Sequence, residues 1–147
     1  MMTQKDKMLL MKDLCARLPY SVVVEHTSGF RGTLHDIVIH HIYDDNDNVY
    51  DAICYTDFFG DEDHIHIEYF KPYLFPMSSM TKEQNDSWRD EFLNDLAMSA
   101  TINYPESEKY LVLSHYKSMD WLYKHHFDVN GLIDKGLAID ATNKNIY

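Results

Sequence analysis

The chain has 147 residues, 45% hydrophobic and 25% charged, enough for one ordinary domain that buries roughly two-thirds of its unfolded surface. That balance excludes a largely disordered chain. A formal net charge of -11 disfavours direct DNA or RNA binding, because affinity for a phosphate backbone rests on cations that displace condensed counterions.

Residues 4–18 place Met8, Met11, Leu14, Cys15 and Leu18 at helical spacing and Pro19 stops the pattern, which predicts an amphipathic helix with that face buried. The apolar run at 8–11, "MLLM", is too short for a signal peptide's apolar region or a membrane span, so a cytoplasmic protein with no membrane partner is expected. Cys15 and Cys54 stand in no C-x-x-C or metal-finger spacing, which fits a reducing compartment.

"SVVVEH" at 21–26 is a β-branched run closed by the two-glycine turn "TSGFRG". "TLHDIVIHHIY" at 33–43 reads as a long strand, "DDNDN" as a turn, "VYDAICYT" as the returning strand, and "HIHIEYF" at 64–70 as a fourth after the looser "DFFGDED". Short polar connections between four strands predict an antiparallel meander, forming a small sheet or a partly open barrel. Pro72 and Pro76 lack the amide hydrogens of a central strand, so pairing is expected to end there. Thr81 with Gln84 then makes a capping box for a helix carrying Trp88, Phe92 and Leu96. After a break near "TINYPES", the run "KYLVLS" fits no single element, and a helix is predicted from about 115 to 126, with Met119 and Leu122 inward. "FDVNGLIDKG" predicts a short helix capped by Asp128 or Asn130 and stopped by Gly136. The predicted architecture is one α+β domain over 1–147: a helix plus β-meander over 1–76, then C-terminal helices over 77–147 packed on the sheet.

Two clusters carry the candidate chemistry. No Lys or Arg falls between Arg31 and Lys71, whereas Asp44, Asp45, Asp47, Asp61, Glu62 and Asp63 all do. These six are the predicted partner-binding residues, suited to a basic protein surface. Alternation along "HIHIE" puts His64, His66 and Glu68 on one strand face, where the H-x-H pair with Asp61 or Asp63 would make a zinc or iron set. A half-buried strand with a wet face accounts for the same alternation, so no cofactor and no catalytic residue are assigned. "DDNDN" has Val49 at the glycine position of a calcium loop and Tyr55 at its glutamate position, which leaves a hairpin turn. His125 and His126 sit where a helix ends and complement its dipole.

Three strings, "KDLCARLPYSV" at 12–22, "KPYLFPMSSMT" at 71–81 and "DWLYKHHFDVNGLIDKGLAI" at 120–139, resemble a family of small uncharacterised proteins carried by phages and prophages of gut bacteria. The resemblance implies a protein made inside a bacterial host as an accessory to infection or conflict, and supplies no catalytic residue. Together these readings point to a non-catalytic accessory protein that binds a host or phage protein through its acidic, aromatic-containing surface, inhibition being one mode. A metal-dependent enzyme or small-ligand binder on the His64/His66 face is the alternative, and a homo-oligomer paired through a sheet edge is a third arrangement.

Overall fold

The computed structural model describes residues 2–43, 48–57 and 65–147. The chain is α+β and divides into two compact units, Met1–Leu74 with Asn130–Tyr147, and Phe75–Val129.

The first unit begins with α1 (Gln4–Arg17). Its start is a reciprocal cap in which Thr3 Oγ1 accepts the Asp6 amide at 3.2 Å and the Asp6 carboxylate accepts the Thr3 amide at 3.4 Å. The buried face is Leu10, Asp13, Leu14 and Arg17, whereas Met8, Met11, Cys15 and Leu18 are only half-buried. The expected stripe is therefore rotated. Positions 10, 13, 14 and 17 also follow helical spacing, and the opposite charges of Asp13 and Arg17 let that face go under.

Six strands follow: β1 (Val23–His26), β2 (Arg31–Tyr43), β3 (Asn48–Thr56), β4 (Ile65–His66), β5 (Phe70–Leu74) and β6 (Ile139–Asp140). Their order across the sheet is β4-β3-β2-β1-β5-β6, antiparallel except for the parallel β5–β6 pair. The β1–β2 turn uses Gly29 at φ 87, a left-handed conformation that glycine adopts without a Cβ clash. Val23 lies opposite Thr33, Ile37 opposite Cys54, and a bulge between Leu34 and Asp36 bends β2 where it passes from β1 to β3.

The first three strands match the expected meander; the fourth does not. The run 64–70 breaks after His66 into a 3₁₀ turn, Ile67–Tyr69, and β5 then pairs with β1 at the other side of the sheet. Strands β4 and β5 stand four places apart in the order, about 19 Å in a flat sheet at the usual spacing, yet one 3₁₀ turn advances only about 6 Å. The sheet must curl to bring the two together. Pro72 lies inside β5 opposite Val24, contrary to the expected end of pairing, and is accommodated because the ladder to β6 starts one residue later, at Tyr73.

The concave side is filled by Val22, Val24, Leu34, Ala52, Cys54, Ile67, Phe70 and Leu74, against Leu10 and Leu14 of α1 and Leu132, Leu137 and Ala138. The segment from 130 to 138 is a wound turn where a short helix is predicted. Gly131 and Gly136 take φ of 65 and 69, and the amides of Leu137 and Ala138 both bond to the Leu132 carbonyl, at 2.8 and 3.2 Å. Two left-handed residues five apart leave no room for a helical turn to propagate.

The second unit is a helical hairpin. Pro76 leads into a 3₁₀ turn, Met77–Ser79, and the capping box stands as the sequence predicts: Thr81 Oγ1 accepts the Gln84 amide at 3.1 Å, and Gln84 Oε1 accepts the Thr81 amide at 2.8 Å. α2 (Lys82–Thr101) follows, then α3 (Glu106–Lys124). α3 starts nine residues earlier than the predicted 115, absorbing "KYLVLS", whose Leu and Tyr residues suit a helix once α2 is beside it. Trp88 Nε1 donates to the Ser118 carbonyl at 3.1 Å, and Lys117 meets Asp95 at 2.6 Å. Trp121, Leu122 and Phe127 form the hairpin's own core with Phe75, Met80, Trp88, Met119 and Val129 around them. His125 closes α3 with its Nδ1 at 2.8 Å from the Trp121 carbonyl oxygen, in line with the expected helix-end position. Thr81→Ala is expected to cost about 1 kcal/mol in urea unfolding, with Thr81→Ser restoring most of it.

Among the described residues no helix is long and apolar enough to cross a membrane.

Candidate functional site

Asp44, Asp45, Asp47, Asp61, Glu62, Asp63 and His64 lie outside the described residues. Of the predicted metal-face residues, His66 is exposed at the end of β4, its ring edge-on to Tyr69 at 6.4 Å. Glu68 does not continue its strand face. The 3₁₀ turn sends it to Lys7 of α1, at 2.9 Å. Among the described residues no three His, Cys, Asp or Glu side chains converge in a geometry that could hold a metal.

An acidic surface is nevertheless present, on an element the charge gap did not indicate. Glu83, Asp86, Ser87, Asp90 and Glu91 share one face of α2, all exposed. The signal was legible: 83, 86, 87, 90 and 91 follow the spacing of a single helical face. α2 has no fully buried side chain over its twenty residues, and at one edge of this face Glu91 lines a shallow depression with Lys117 and Lys124 of α3.

Three other polar clusters have structural work to do. Arg17 and Asp13 are both 0% exposed, joined by Nε to Oδ2 at 2.6 Å and Nη2 to Oδ1 at 3.0 Å, and Asn130 Nδ2 adds a bond to Oδ1 at 2.9 Å. On the convex side, the Tyr73 hydroxyl donates to Glu25, Arg31 Nε reaches the same carboxylate at 3.0 Å, and the guanidinium lies 5.0 Å from the Tyr73 ring centre. The Tyr73 bond, with help from Arg31, holds the Glu25 carboxyl below its usual range, and burial pushes the Tyr73 phenol up. The carboxylate stays ionised and the phenol protonated through neutrality, so neither exchanges a proton there. Burial likewise raises the Cys15 thiol, which keeps it from acting as a thiolate.

The third cluster involves Tyr147. Its hydroxyl donates to the Tyr73 carbonyl at 2.7 Å and accepts the Val23 amide at 3.2 Å. Val23 and Tyr73 are the next partners after Val24 and Pro72 in the β1–β5 register, so the phenol bridges the two strands where their ladder ends. Nothing in the sequence marked this contact, which joins residues more than a hundred positions apart.

The fold and these clusters define an α+β protein with an acidic helical face. No protein family matches the chain, and no curated protein or solved structure matches it either.

Proposed function

We propose that the chain is a non-catalytic accessory protein of a phage or prophage, acting in the cytoplasm of its bacterial host by docking on a basic surface of a host or phage protein, with inhibition as one mode. The observation that carries this reading is the exposed acid face of α2, Glu83, Asp86, Asp90 and Glu91, on a helix that buries no side chain fully. Such a face attracts a cationic partner and repels nucleic acid. The phage context rests on the three strings that resemble proteins of that origin. In this reading the curled sheet, a partly open barrel built from the meander strands and β5, is the scaffold.

The test compares the chain with a variant in which Glu83, Asp86, Asp90 and Glu91 are changed to Gln or Asn, by affinity capture from host cells at low and at raised salt. A partner retained by the native chain at low salt and lost both in the variant and at raised salt is the expected result. Retention that ignores the four changes would remove α2 from the interface.

A further inference from the structure

The stretch that re-enters the sheet unit carries a chemically labile pair. Of the eight asparagines in the chain, Asn130 alone is followed by glycine. A side-chain amide is open to attack by the backbone nitrogen of the next residue, and glycine hinders that attack least because it has no Cβ. Gly131 stands at φ 65, and both residues are only half-buried, so water has access. The Asn130 amide is at the same time committed elsewhere. Its Nδ2 donates to Asp13 Oδ1 at 2.9 Å, the oxygen that also takes Arg17 Nη2 at 3.0 Å. A reactive dipeptide is thereby tied to a carboxylate and a guanidinium that are both 0% exposed.

We infer that Asn130 is a site of spontaneous deamidation, held in check by its bond to Asp13 while the sheet unit is folded, and that its conversion is a one-way switch to a less stable chain. The step balances without an oxidant, a metal or a partner. The Gly131 nitrogen bonds to Asn130 Cγ, the Cγ–Nδ2 bond breaks, and Nδ2 departs as ammonia with the proton that the Gly131 nitrogen gives up. Water then opens the resulting succinimide at either carbonyl. One opening leaves aspartate at 130, and the other leaves its isomer, in which the main chain runs through the former side-chain carbonyl.

Both sides of the step depend on Asp13. Before conversion, Cγ must turn toward the Gly131 nitrogen, and a hydrogen bond to a buried charged group restrains that turn on the order of tenfold. After conversion, the aspartate product puts an oxygen where Nδ2 stood, so two carboxylates compete for the single Arg17 guanidinium. Like charges at hydrogen-bonding distance beside a buried pair are costly. The isomer instead lengthens the main chain just before Leu132, which is 0% exposed and whose carbonyl accepts the amides of Leu137 and Ala138. Either product weakens the seam between α1 and the returning chain. A molecule that has spent time open cannot rebuild the contact it started with. The inference is independent of the docking role of α2, whose acids take no part in it.

Peptide mass spectrometry of the full chain, held in warm, mildly alkaline buffer with and without urea, follows every asparagine at once. In urea, Asn130 is expected to be the first to gain the about 1 Da that exchange of an amide for an acid adds. Without urea it should convert at least about tenfold more slowly. Asp13→Leu/Arg17→Met removes the acceptor together with its cation, and is expected to keep the native circular dichroism while losing most of that protection. Asn130→Asp should lower the urea midpoint by about 0.5 M or more, and Asn130→Ala, which loses the bond but adds no charge, by less. If Asn130→Asp does not fold, the converted native chain, separated on an anion exchanger by its extra negative charge, supplies the same comparison. Equal rates with and without urea, protection that survives the loss of Asp13, another asparagine converting ahead of Asn130 in urea, or an acidic chain no weaker than Asn130→Ala would each overturn the proposal.

Discussion

Asp13→Ala is expected to cost about 3–5 kcal/mol, a large part of the roughly 5–15 kcal/mol that holds a domain of this size. Asp13 and Arg17 are both wholly removed from solvent, and the guanidinium meets both carboxylate oxygens. Removing the carboxylate leaves the fully buried guanidinium without its ion-pair partner. Its desolvation then loses its main compensation, since Arg does not shed its proton. The double change Asp13→Leu/Arg17→Met should recover to within about 1 kcal/mol of the native chain, because a buried ion pair gains little over apolar residues of similar volume. Urea unfolding of the two variants decides the matter. A single variant that loses less than about 1 kcal/mol would mean that water reaches the pair.

Tyr147→Phe has the next largest expected effect, about 1–3 kcal/mol, as it withdraws one donor and one acceptor from the end of the β1–β5 ladder. The same residue sets an alkaline limit. Burial of its hydroxyl pushes the Tyr147 pKa up to about 12, against the opposing pull of the Val23 amide and of Arg17. A raised folded-state value means that the native form keeps a proton the unfolded chain releases. The contribution is therefore complete below pH about 10 and is lost as pH rises from there to about 12. Unfolding followed across this window should show the native chain weakening faster than Tyr147→Phe, with the curves converging near its top. Tyr73, also held above its ordinary value by burial, titrates in both and does not distinguish them. Parallel curves would place the hydroxyl in solvent.

What could be read from the sequence was local. The Thr81–Gln84 cap, the β1–β2 turn at Gly29 and the pairing of β2 with β3 follow from side-chain chemistry within a few residues. The misreadings involve competition with distant partners. "HIHIEYF" alternates as a strand should, but Ile67 and Phe70 both reach the core only if the chain turns at 67–69, and that depends on where β1 waits. "KYLVLS" carries enough apolar residues for a strand, and α2 decides it. The first helix hid its buried face because Asp13 and Arg17 look solvent-bound until they are seen as a pair four residues apart. The acid face of α2 was visible in its spacing, yet the denser acids between Arg31 and Lys71 drew the assignment away from it.

The sheet unit is written in two pieces, with the helical hairpin between Leu74 and Asn130. During translation the ribosome must add the whole hairpin before Asn130, β6 and Tyr147 exist, several seconds at roughly 5–20 residues per second. Until then a nascent sheet has α1 available but neither the amide that completes the Asp13–Arg17 group nor the phenol that ties β1 to β5. The hairpin, whose own core lies wholly within Phe75–Val129, is free to form in that interval, and the older, larger half of the protein is the last to be finished.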